Sequence, residues 1–167
     1  NTNAPAATVN FEFGPGSATG TADASTLTLN NATLAAINVH DTATLVTDGV
    51  ENLTLVSSGA ANSVTALNAV DVQVLTINGD QNLTLGTITG GTVGQFTTVN
   101  GSAATGNLTL SIDNVLNTAM RGTSGTGAPV NFNLSTGTGA DVLNVTAVGQ
   151  VIGNAADTID TGDGNDT

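Results

Sequence analysis

Cysteine, tryptophan and tyrosine are absent from this chain, and positive charge nearly so. Without cysteine there is no disulfide and no thiolate metal site, which suits a chain exported unfolded. A single Lys+Arg, Arg121, stands against 13 Asp+Glu, for a net charge of -12. Phosphate neutralisation needs clustered Lys or Arg, so no nucleic-acid partner is expected. An anionic membrane surface is disfavoured for the same reason. No stretch reaches the roughly 18 apolar residues of a membrane span, so no membrane insertion is expected either. The chain opens Asn1-Thr2-Asn3-Ala4-Pro5, without the basic and apolar runs of a signal peptide. Its first residue is not Met and its last falls inside a repeat, as expected of a piece of a longer protein.

The groups of acid–base catalysis are equally sparse. His40 is the only imidazole, and Glu12 and Glu51 are the only glutamates. Paired-His metal sites are therefore excluded. A triad through His40 and Asp41 is disfavoured because neighbours along a strand face opposite ways and no nucleophile elbow accompanies them. Nothing points to a carboxylate pair for glycoside hydrolysis. The expectation is a protein without catalysis, whose natural partner is a cation.

Aliphatic residues and threonine fill the space these absences leave. Hydrophobic residues make up 39% and aromatics 2%, so the core must be built from Leu, Val, Ile and Ala. Short alternating runs recur: Val9-Asn10-Phe11-Glu12-Phe13, then Leu-Thr-Leu at Leu27, Leu53, Leu83 and Leu108. Such alternation, bounded by Gly, Asn, Asp and Ser, predicts strands with Leu inward and Thr outward. Leu29, Ile37, Leu45 and Leu53 lie eight apart, as do Leu67, Leu75 and Leu83. Eight residues make one short strand and one bend, and three such steps would make a repeat of about 24 residues. The fold class expected is all-β, with a parallel β-solenoid (β-helix) body stacked at about 4.8 Å. Asparagines would form ladders at its bends. An antiparallel β-sandwich is the alternative. Thr rows such as Thr26-Leu27-Thr28 are similar to those of ice-binding solenoids, but those need Thr pairs at one fixed repeat, which this chain lacks.

One segment departs from alternation. Apolar residues at Ile112, Val115, Leu116, Ala119 and Met120 follow helical spacing, with Asp113 or Asn114 to cap the start and Gly122 to end it. Residues 123–129 then read as a linker. The expected organisation is a body over 1–111, a short helix and linker over 112–129, and a distinct C-terminal segment over 130–167.

That segment carries the chemistry. Thr136-Gly137-Thr138-Gly139-Ala140-Asp141-Val142-Leu143 is followed by Ile152-Gly153-Asn154-Ala155-Ala156-Asp157-Thr158-Ile159 and by Thr161-Gly162-Asp163-Gly164-Asn165-Asp166-Thr167. All three approximate G-G-x-G-x-D-x-U-x, where U is a large apolar residue. The glycines permit left-handed turns and expose carbonyl oxygens, the Asp adds a carboxylate, and U anchors the next strand. A hard cation that takes six to eight flexible oxygen ligands suits such a loop, hence Ca²⁺ (Ca2+) rather than Mg²⁺. Gly-Asp turns by themselves are also ordinary β-turns. The other acidic turns, Asp48 with Glu51 and Asn78-Gly79-Asp80, read as solvated bends, and Gly20-Thr21-Ala22-Asp23 as a weak copy of the repeat.

These motifs resemble the RTX nonapeptide repeats of type I secreted proteins. That resemblance implies a parallel β-roll in which calcium lies between loop n and loop n+2 on one edge. It implies Asp141, Asp157 and Asp166 as ligands, with Asn154, Asp163 and Asn165 contributing carbonyls or side chains. The chain departs from the family pattern in two respects. No repeat has the full double glycine, and Asp141 and Asp157 are 16 apart where two nine-residue repeats would give 18. The expected ion lies between the 136–141 and 152–157 loops, with the 161–166 loop half-satisfied.

Most of the chain also resembles RTX-type bacterial surface-layer (S-layer) proteins. The resemblance rests on the Thr/Ala/Gly/Asn-rich, Cys-free composition, on Gly49-Val50-Glu51-Asn52-Leu53, on the Leu-Thr-Leu strands and on the terminal repeats. It implies an extracellular location on the bacterial cell surface and calcium-dependent self-association into a lattice. The implied partners are other copies, neighbouring domains of the same chain, or a cell-surface polysaccharide. The rival expectations are a non-catalytic module of a secreted enzyme and an adhesin or carbohydrate-binding stalk.

Overall fold

The computed structural model describes residues 6–14, 16–18, 20, 22–41, 49–69, 71–90, 96–112, 132–145 and 158–167. They form an all-β fold of two six-stranded sheets. One sheet contains β1 (Ala7–Phe13), β3 (Thr33–Asp41), β5 (Asn62–Ala69), β7 (Leu83–Gly90), β9 (Leu108–Ile112) and β11 (Val142–Val145), in that order. The other contains β2 (Ala24–Asn30), β4 (Asn52–Ser58), β6 (Val74–Gly79), β8 (Thr98–Asn100), β10 (Asn133–Ser135) and β12 (Thr158–Asp160). Consecutive strands thus alternate between the sheets, and each return to a sheet adds the next strand beside the last. Every pairing is parallel, so the antiparallel alternative does not hold.

The expected Leu-Thr-Leu alternation is present. Leu27 and Leu29, Leu53 and Leu55, Leu83 and Leu85, and Leu108 and Leu110 are all buried, while Thr28, Thr54, Thr84 and Thr109 face outward. Across strands Leu53 pairs with Leu75 and Leu83 with Leu108, so like packs on like. The eight-residue step has a different meaning from the one expected. It separates successive strands in opposite sheets, as Leu67, Leu75 and Leu83 show on β5, β6 and β7. A return to the same sheet takes two strands and two turns, not three strands.

In the first sheet the alternation slips by one residue at a fixed place. The inward side chains there are Val64 and Leu67 on β5, and Leu85 and Ile88 on β7, three apart rather than two. The register passes over Ala35, Thr65 and Gly86 in three adjacent strands, which stacks a bulge on a bulge. The outer surface of that sheet carries an asparagine ladder. Asn68 Nδ2 donates to Asn38 Oδ1 at 2.8 Å, and Asn38 Nδ2 donates to Asn10 Oδ1 at 2.6 Å. This ladder runs mid-strand, and at the bends, where asparagine ladders were expected, Asn82 Oδ1 accepts from Asn107 N at 3.0 Å and Asn107 Oδ1 from Ala140 N at 2.9 Å.

The core is aliphatic, with Phe96 and Phe132 packed 6.4 Å apart, between ring centroids, ahead of β8 and β10. Strands β10 and β12 continue the sheet begun by β2, and β11 the sheet begun by β1, so the C-terminal motifs extend the same two sheets as the body. Ile112 ends β9. The rest of the expected helix and linker lies outside the described residues, among which there is no helix.

Candidate metal site at the stacked turns

Turns leading from β2, β4, β6, β8 and β10 into the next strand lie along one edge, and residues 161–167 follow β12 on that same edge. The early turns are short: Asn31–Ala32, then residues 59–61 and 80–82. The later ones, 101–107 and 136–141, are longer and glycine-rich. Turn 161–167 sits directly on turn 136–141. Thr136 N donates to Asp160 O, Thr136 Oγ1 to Thr161 O, Asp163 N to Gly137 O and Thr167 N to Asp141 O. Turn 136–141 sits likewise on 101–107, with Thr138 N donating to Ala104 O and Ala140 N to Asn107 Oδ1.

Glycine is required where these layers touch. A Cβ on Gly137 would overlap the Ala104 carbonyl oxygen. Gly162 has φ of 73°, and a Cβ there would overlap Gly137 O. Turn 101–107, with Gly101, Gly106 and Asn107, also belongs to this stack and itself rests on turn 80–82, with Thr105 N donating to Gly79 O. Sequence reading missed it because its glycines are five apart and Asn replaces Asp.

The structure brings Asp141 together with Asp166. Asp141 N donates to Asp166 Oδ1 at 2.9 Å, so the turn stacked on 136–141 is 161–166. The 161–166 turn, expected to be half-satisfied, stacks on turn 136–141. Asp157 and Asn154 lie outside the described residues. Asp163 and Asn165 are exposed on the outer rim of the last turn, and Asp160 Oδ1 holds that turn's Gly162 N at 3.0 Å.

Asp141 is the most confined carboxylate of the set. It is 0% exposed. Leu83 pairs with Leu108, and Thr109 with Val142, which sets Asp141 beside Leu108 in the inward-facing file that runs Leu83, Leu108, Asp141. One oxygen, Oδ1, accepts from Leu108 N at 2.7 Å. The other, Oδ2, is buried with no hydrogen-bond partner. A carboxylate oxygen removed from water without a donor or cation is strongly unfavourable. Among the described residues no three His, Cys, Asp or Glu side chains converge on one point. A cation here would take its remaining ligands from turn carbonyls. Both the orphaned oxygen and the carbonyl-rich glycine turns fit a hard cation.

The opposite edge carries Asp23, Glu51 and Asp71. Glu51 Oε2 accepts from Asp23 N at 2.8 Å, and Asp23 Oδ2 from Gly20 N at 2.7 Å, so Glu51 and Asp23 cap backbone amides. His40 stands on β3 opposite Glu12 of β1, its Nε2 4.0 Å from Glu12 Oε1. Comparison with known proteins gives no match among family models, curated proteins or solved structures.

Proposed function

We propose that this chain is a non-catalytic structural module of a secreted bacterial surface-layer protein, with a β-solenoid fold whose C-terminal turns order around calcium. The solenoid reading is supported by the strict alternation of strands between two parallel sheets, each return advancing by one strand. The observation that carries the calcium reading is Asp141 Oδ2, sealed from water and without a donor, in a turn stacked on Asp166. Ca²⁺ would supply the missing positive charge, held by Asp141, by Asp166 and by carbonyls of turns 136–141 and 161–166. Close carboxylates repel without it, so these turns stay loose at low calcium and lock at the roughly millimolar calcium of extracellular modules. Self-association into a lattice on the cell surface is the role that such a rigid, acidic, cysteine-free module would serve.

Titration calorimetry with CaCl₂, and thermal melting followed by circular dichroism with CaCl₂ or EDTA, test the ion. Heat of binding and a higher midpoint with calcium are expected; no heat and superimposable curves would sink the reading. Electron microscopy of the calcium-loaded protein tests the lattice, for which ordered sheets are expected and dispersed particles would count against it.

A further inference from the structure

Two turns of this molecule solve one backbone problem with different side chains. Thr33 pairs with Ser63, which sets Ala32 beside Asn62 in the inward file, as Leu108 is set beside Asp141 further along. Asn62 itself pairs with Leu83, so both residues stand in the one file Ala32, Asn62, Leu83, Leu108, Asp141. In a regular parallel ladder the amides of Ala32 and Leu108 would donate to main-chain carbonyls of the next layer. The turn displaces those carbonyls, and a side chain replaces them. Ala32 N donates to Asn62 Oδ1 at 2.7 Å, and Leu108 N donates to Asp141 Oδ1 at 2.7 Å. Both side chains are buried, at 3% and 0% exposure.

They differ in the second polar atom. Asn62 Nδ2 lies among oxygens: Ser57 Oγ at 2.8 Å, Ala60 O at 2.8 Å, Ser58 O at 3.1 Å and Leu29 O at 3.4 Å. It is a donor surrounded by acceptors, and the turn closes without help. At Asp141 the corresponding atom is an oxygen, and it has no donor.

We propose that Asp141 is the switch that makes the C-terminal turns depend on a cation, and that Asn62 is the cation-free form of the same device. This rests on the calcium reading above and assigns the dependence to one atom. Replacing that oxygen with an NH₂ group keeps the cap on Leu108 N and removes the need for the ion. The reverse exchange at Asn62 sets a carboxylate oxygen against Ser57, Ser58 and Ala60 oxygens and creates the need.

Full-length Asp141→Asn and Asn62→Asp proteins, melted with CaCl₂ and with EDTA beside the wild type, test the idea. Calcium is expected to raise the wild-type midpoint by roughly 5–10 °C. Asp141→Asn should melt in EDTA at or above the wild type in EDTA, and its calcium shift should fall to less than about a third of the wild-type shift. Asn62→Asp should melt lower than wild type in EDTA and recover part of the loss in calcium. A wild-type calcium shift that persists in full in Asp141→Asn overturns the switch while leaving calcium binding intact. Loss of stability in Asn62→Asp that calcium leaves unchanged overturns the assignment of Asn62 as its counterpart. A wild type indifferent to calcium overturns the calcium reading itself, and the switch with it.

Discussion

Strands β2 to β7 and strands β8 to β12 share two sheets but divide the work between strand and turn in opposite ways. The first group runs six to nine residues per strand and turns over two or three residues on the Asn62 edge. The second runs three to five residues per strand and turns over six or seven on that edge. In the first, order is specified by side chains: Leu, Val and Ile interlock between sheets, and each fully buried one contributes roughly 1.5–3 kcal/mol. In the second, the backbone carries more of the order: glycine turns stack on one another's carbonyls, and Asp141 and Asp166 accept from main-chain amides of the layer beside them. The first part is held chiefly by hydrophobic burial, with Asn62 fully hydrogen-bonded in its core file, whereas the second holds an orphaned carboxylate oxygen in that file and needs something further.

One of the largest expected effects lies in the first part. Leu85 is 0% exposed and sits between Val64 and Leu110 in the sheet. Leu85→Ala should cost about 2–5 kcal/mol in denaturant unfolding, through lost burial and an unfilled cavity. Equal sensitivity to calcium before and after the change is expected, and a lost calcium response would break the division between the two parts. Next in size is Gly137→Ala. Its methyl group must displace the Ala104 carbonyl, at a cost of about 1–3 kcal/mol. Hydrogen exchange should speed up over 132–145 and 158–167 and stay slow in β3 to β7. Uniform loss of protection would show that the two parts melt as one.

A smaller effect is expected from Asn38→Ala, which removes the middle of the Asn10–Asn38–Asn68 ladder on an outer face. Side-chain amides that have access to water recover most of the lost bonding, so a loss of about 0.5–1.5 kcal/mol is expected. A loss as large as that of Leu85→Ala would mean that the ladder, and not the core, dominates the first part.

The two parts were unequally legible in the sequence. Leu-Thr-Leu at positions 27, 53, 83 and 108 announced strands and their inward faces because period-two alternation leaves only one way to bury leucine. The pairings of Leu53 with Leu75 and of Leu83 with Leu108, 22 and 25 residues apart (75 − 53 and 108 − 83), lie close to the expected repeat of about 24. That the eight-residue step joins opposite sheets was not visible, since spacing alone does not say how many faces a repeat has. The bulge column at Ala35, Thr65 and Gly86 was also hidden, because Ala, Thr and Gly share no chemistry there beyond fitting between strands. In the second part the motif marked Asp141 and Asp166 but not that their turns meet. Stacked turns are separated by two strands and a second turn of variable length, so the nine-residue interval is not the interval of contact. Asn62 carried no signal at all: Gly59-Ala60-Ala61-Asn62 looks nothing like Thr138-Gly139-Ala140-Asp141, and only strand register makes them equivalent.

Neighbouring positions in one inward file test the boundary of the core most finely. Val99, Leu134 and Ile159 pair in sequence across β8, β10 and β12, at 0%, 1% and 45% exposure. Their chemistry and orientation are alike, and only the layer that covers them differs. Leu134 lies between β8 and β12, whereas Ile159 has β10 on one side. Leu134→Ala should therefore cost about 2–5 kcal/mol, and Ile159→Ala, which gives up apolar surface already half in water, no more than about 1 kcal/mol. The same pair in calcium sharpens the test. If the ion locks turn 161–166 onto 136–141, β12 is held more firmly and the cost of Ile159→Ala rises towards that of Leu134→Ala. An Ile159→Ala cost that is small in EDTA and unchanged in calcium would mean that the ion orders the turns alone and leaves the strand beside them as it was.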